Sequence, residues 1–85
     1  MEKVYISNCI KYEILKICGL NTSRPYNLVT DIPLKNLGFR AKNNRCELLE
    51  RRLQVIADEY NTGKQIAKGT ISENITVKQC IQFLI

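Results

Sequence analysis

The chain has 85 residues, which is room for one domain. Its 45% apolar and 25% charged residues are an ordinary globular balance, and thirteen Lys and Arg against eight Asp and Glu give a net charge of +5. It contains no His, so serine or cysteine triads with a His base, His metal ligands and the usual neutral-pH proton shuttle are excluded.

The first element spans about residues 3–18. Val4, Ile10, Ile14 and Ile17 recur near helical spacing, with Lys11, Glu13 and Lys16 between them. Gly19 follows as a C-cap. A strand remains an alternative for the Val4-Tyr5-Ile6 start, because β-branched and aromatic residues favour it. Residues 20–36 form a long connection punctuated by Pro25 and Pro33. Leu20, Leu28, Ile32, Leu34 and Leu37 stud it, so it should pack on the helices. Leu34 to Phe39 reads as a short turn ended by Gly38.

The clearest helix starts from Asn43 or Asn44 as N-cap and runs to about Tyr60. Leu49, Leu53, Ile56 and Tyr60 make one apolar stripe, widened by Leu48 and Ala57. Asn61-Thr62-Gly63 stops it. Residues 64–69, between two glycines, are expected to form one helical turn. A last helix opens on Thr76 with Gln79 three residues on, a capping box, and Ile75 with Cys80 as its hydrophobic staple. Val77, Cys80, Ile81 and Leu84 form its apolar face.

Four cysteines, Cys9, Cys18, Cys46 and Cys80, allow three disulfide pairings, but they include no C-x-x-C pair. Three of them lie among apolar residues, which favours reduced thiols buried as small hydrophobes and argues against a zinc site. No apolar run reaches transmembrane length and no secretory core opens the chain, so the expected location is cytoplasmic and no membrane partner is expected.

Three stretches in this order resemble the acyl carrier and peptidyl carrier protein family. Leu34-Lys35-Asn36-Leu37-Gly38-Phe39 looks like the Leu-x-x-Leu-Gly signature before helix 2. Leu53 to Tyr60 looks like the end of helix 2, and Asn74 to Leu84 like the Thr-Val opening of helix 4. The resemblance implies an all-α fold, a small antiparallel four-helix bundle with three long helices and one short, over residues 1–85. In that family a serine in Asp-Ser-Leu at the head of helix 2 carries 4′-phosphopantetheine. This chain has no such serine; its serines are Ser7, Ser23 and Ser72. Counting forward from Gly38 reaches Ala41, and counting back from Tyr60 reaches Cys46. Cys46 is a candidate attachment site, but a thiol is not the acceptor that the transferase uses, so no cofactor is expected.

Carrier proteins are usually acidic, whereas residues 35–52 here hold six bases and two acids, +4 of the total +5. Lys35, Arg40, Lys42, Arg45, Arg51 and Arg52 are therefore the expected partner-binding surface, facing an acidic protein or another polyanion. The same cluster could neutralise phosphates. Residues 64–82 also faintly resemble a helix-turn-helix, which makes a small DNA- or RNA-binding module the competing reading. Asp58 and Glu59 are adjacent on one helix and cannot oppose each other as acid and base, and no glycine-rich phosphate loop exists. The sequence thus reads as a non-enzymatic protein-interaction domain, carrier-like without the prosthetic serine.

Overall fold

A computed structural model describes residues 2–40 and 42–85, with the Glu2 side chain outside the description. Ala41, one of the two positions reached by counting, also lies outside it. Among the described residues the fold is all-α, with three α-helices: α1 at Glu2–Ile17, α2 at Arg45–Glu59 and α3 at Val77–Gln82. Two 3-10 turns, Pro25–Asn27 and Leu34–Leu37, interrupt the first connection. The start of the chain is helical, not a strand.

The expected fourth helix at residues 64–69 does not form, and the reason is a tertiary one. Its backbone N–H groups bond to side chains of α2 instead of to carbonyls four residues back. Gln54 Oε1 accepts from Ile66 N at 2.8 Å. Glu50 Oε2 accepts from Gly69 N at 2.9 Å and from Ile71 N at 2.8 Å. Gly69, at φ +90, gives the segment its bend. The connection is therefore an irregular strap laid along α2.

Both long helices end in the same way. Gly19 takes a φ of +71, and Leu20 N reaches back to Leu15 O at 2.9 Å while Gly19 N bonds Lys16 O at 3.2 Å. At the end of α2, Asn61 at φ +53 stands where α1 has glycine, and Thr62 N bonds Ala57 O at 3.0 Å. These are Schellman caps, which satisfy the last carbonyls of each helix.

α1 and α2 run antiparallel. Cys9 meets Tyr60 at one end and Glu13 meets Arg52 further along. Ile6, Ile10 and Ile14 from α1 and Leu49, Leu53 and Ile56 from α2 build the core, with Leu34, Phe39, Val77 and Cys80 fully enclosed. The buried register of α1 starts at Ile6 and not at Val4, which is 59% exposed. Leu48, expected to widen the α2 stripe, also faces outward at 43% exposure.

α3 is short, and its first turn depends on the long connection. Thr76 and Gln79 form the capping box, with Thr76 Oγ1 accepting from Gln79 N at 3.2 Å and Gln79 Oε1 accepting from Thr76 N at 2.9 Å. Val77 N and Lys78 N bond the carbonyls of Ile32 and Thr30 at 3.1 and 2.7 Å. In return Leu34 N and Lys35 N bond the carbonyls of Ile75 and Glu73, both at 2.8 Å. The two segments clasp around a Pro33–Thr76 antiparallel bridge.

Glu50→Ala would leave two N–H groups of the strap without their acceptor. It is expected to lower the unfolding free energy in urea by about 2–3 kcal/mol, and Glu50→Gln, which keeps an amide oxygen, by less. Equal stability of Glu50→Ala and the native chain would show that the strap does not depend on this carboxylate.

Candidate functional site

The six expected surface bases do not form one face. Successive α2 residues point about 100° apart, so Arg51 and Arg52 diverge. Arg52 leans toward α1, where its Nε and Nη2 donate to Glu13 Oε2 and Oε1 at 2.8 and 3.3 Å. The Glu13 hydrogen bond raises the Arg52 pKa, and this pair cancels its charge locally. Arg51 lines a groove of about 330 Å³ with Glu47, Glu50, Gln54, Ile66 and Lys68.

The remaining four bases gather at the entrance to α2. Gly38 turns the chain at φ +97, and its carbonyl accepts from Asn43 Nδ2 at 3.0 Å and Arg45 Nη1 at 3.1 Å. Asn43 Oδ1 accepts from the backbone N–H of Arg40 and of Arg45, at 3.3 and 3.2 Å. Asn43 therefore closes the turn and takes up a first-turn donor of α2. Asn44 stands at the N-cap position but makes no side-chain capping bond. Arg40 Nη1 donates to the carbonyls of Lys35 and Phe39.

The acceptors for Arg40 and Arg45 are main-chain carbonyls, not carboxylates. Both guanidinium groups are held in place, and among the described residues no carboxylate forms an ion pair with either. Arg40, Lys42, Asn43 and Glu73 line an open concavity of about 510 Å³ there, and Lys35 is exposed beside it. Gly38 is favoured by its φ, which strains any side chain, and a Cβ there would lie 2.6 Å from Arg45 Nη1 and push that guanidinium aside.

Cys46 is the second residue of α2 and half-buried. Burial pushes its thiol pKa up, and the nearby Glu50 and Glu73 carboxylates push it further. That setting holds the proton on sulfur and disfavours a reactive thiolate. Burial also raises Cys18, with Arg45 opposing. All four cysteines are unbridged. The helix-turn-helix that residues 64–82 faintly resemble has no first helix, because residues 62–67 take no regular secondary structure and α3 starts only at Val77.

Along the outer seam of α1 and α2 lies a surface that the sequence did not single out. Tyr5, Asn8, Cys9, Tyr12, Val55 and Tyr60 are among the lining of a depression of about 390 Å³ there. Tyr5, Tyr12 and Val55 are exposed at 57%, 40% and 49%. The signal was present in the α1 sequence, since Tyr5, Cys9, Tyr12 and Lys16 share one helical stripe apart from the core stripe.

The chain matches no protein-family model, no curated protein and no solved structure. Among the described residues, no helix is long and apolar enough to cross a membrane.

Cys80 gives a pH prediction. Burial first, and the neighbouring Cys46 second, push its thiol from 9.0 up to about 12. The folded chain holds the proton that the unfolded chain gives up. The stabilisation is therefore complete below pH 9 and is lost as pH rises toward 12, on the order of 4 kcal/mol across that window. Thermal unfolding should show Tm falling over this range, with a shallower fall for Cys80→Val. An identical slope in the two proteins would contradict this assignment.

Proposed function

We propose that this chain is a binding module, not an enzyme, and that it docks an acidic protein surface through the basic corner ahead of α2. The observation that carries the reading is the pinning of Arg40 and Arg45 on the carbonyls of Lys35, Phe39 and Gly38. Cations already fixed in position lose little freedom on binding, and cations that form no ion pair stay available to an anion. Lys35 and Lys42, both exposed, extend the same corner. The docking residues are thus Lys35, Arg40, Lys42 and Arg45. Arg51 and Arg52 act elsewhere, Arg52 in the Glu13 pair and Arg51 beside the strap.

Glu73, which lines the concavity with Arg40 and Lys42, favours a protein over a nucleic acid. A carboxylate beside the cations interrupts the continuous positive track that a phosphate backbone needs. It suits a discrete acidic patch bearing a donor of its own. The order of elements supports a carrier-protein-like lineage: a long first helix, an apolar connection closing on Leu37-Gly38-Phe39, a second helix and a Thr-Val-capped last helix. In that reading the corner occupies the place where a carrier protein holds its prosthetic group, and Cys46 stays unmodified. Co-expression with a phosphopantetheinyl transferase and coenzyme A should then leave the intact mass unchanged. A gain of one phosphopantetheine group would overturn this part of the reading.

Docking is tested with a labelled Glu- and Asp-rich peptide, by fluorescence anisotropy and by amide shifts at low and moderate salt. Binding should shift the signals of Lys35, Arg40, Lys42 and Arg45, and the triple variant K35E/R40E/K42E should lose it. R51E should bind nearly as well as the native chain. Random duplex or single strands binding more tightly than the peptide, with steep salt dependence, would replace this reading with the nucleic-acid one.

A further inference from the structure

The α1–α2 seam is separate from the basic corner and has its own charge pattern. Tyr5, Tyr12 and Val55 border one depression, and a second, of about 340 Å³, continues past Glu13 and Arg52 to Lys16, Ile17 and Leu48. The Glu13–Arg52 ion pair bridges the middle of the seam and neutralises it. What remains is apolar side chains flanked by one charge at each end.

Glu59 stands at the end shared with Tyr5 and Tyr60, and it lines the first depression. Lys16 stands at the opposite end, lining the second, with its Nζ 6.0 Å from the Tyr12 ring centroid. No ion pair holds either Glu59 or Lys16 among the described residues. Leu48 and Glu59 are eleven residues apart on α2, about 16 Å along its axis. The seam is therefore an apolar strip with a negative end, a neutral middle and a positive end.

A strip with that pattern complements itself when reversed. A two-fold axis through its middle places Glu59 of one chain beside Lys16 of the other, twice, and packs Tyr12 and Val55 against their equivalents. An isologous contact requires that kind of self-match. Tyrosines supply large contact area at low entropic cost, with a hydroxyl that tolerates water when the chains separate. We propose that a second copy of this chain covers the α1–α2 seam, making an antiparallel homodimer that leaves the basic corner of each protomer open.

Sedimentation velocity from micromolar to millimolar concentration tests this. The native chain should show a monomer–dimer equilibrium, and Val55→Glu should remain monomeric. K16E alone turns both cross-pairs into like charges, as does E59K, and each should weaken dimerisation about tenfold. The double variant K16E/E59K restores opposite charges and should recover most of the native constant. All three changed residues are exposed, and circular dichroism should show native helix content in every variant. K35E/R40E/K42E should dimerise normally, which separates this surface from the docking corner. A native chain that is monomeric at millimolar concentration overturns the proposal. So does a double variant no better than the single ones.

Discussion

The clasp between residues 30–35 and 73–78 is the constraint on which the remaining structure depends. α3 spans only Val77–Gln82, far below the length at which a helix is stable by itself. Its capping box satisfies one first-turn donor, and the carbonyls of Ile32 and Thr30 take two more. The same clasp orders the end of the long connection, so that Leu34 and Phe39 enter the core with Val77 and Cys80. Over the clasp each segment holds only the first two residues of a short helical element, Leu34 and Lys35 on one side and Val77 and Lys78 on the other. Each supplies the hydrogen bonds that the other lacks.

Elsewhere polar side chains do the work that secondary structure does in larger folds. Glu50 and Gln54 hold the strap to α2, and Asn43 with the two pinned arginines closes the turn before it. A buried backbone donor or acceptor left alone costs free energy, and a small chain with two long connections has many of them. Glu50, 7% exposed, is tolerated inside because its Oε2 accepts two N–H bonds. Glu13, 6% exposed, is tolerated because Arg52 covers it with a two-pronged pair. Both charges were spent on building the fold, which removes them from any docking surface.

Periodicity and caps were legible in the sequence because they are local. Leu49, Leu53 and Ile56 repeat at helical spacing, Gly19 ends α1, and Thr76 with Gln79 opens α3, each decided within a few residues of itself. The strap was not legible as such. Residues 64–69 have the composition of a helical turn, and only the distant Glu50 and Gln54 draw their N–H groups away. The buried acids left a faint trace: Glu50 shares a helical stripe with Cys46, Leu53 and Ala57, and Glu13 with Ile6, Ile10 and Ile17. The run of bases from Lys35 to Arg52 read as one surface because sequence distance carries no direction. The helix turns Arg51 and Arg52 about 100° apart, and the fold leaves only Lys35, Arg40, Lys42 and Arg45 together.

The distribution of charge then follows from how each cation is held. A carboxylate partner fixes an arginine and cancels it, as at Arg52. A carbonyl partner fixes it and cancels nothing, as at Arg40 and Arg45. Four of the chain's thirteen basic residues therefore gather around the Gly38 turn, where no ion pair among the described residues takes them up. The converse holds on the seam. Pairing Arg52 with Glu13 removes the one strong charge from the middle of an apolar strip, where burying an unpaired charge against another surface would be costly. One pairing thus takes Arg52 out of the basic cluster that the sequence suggested and makes the seam fit for contact, so both candidate interfaces depend on the choice of partner for Arg52.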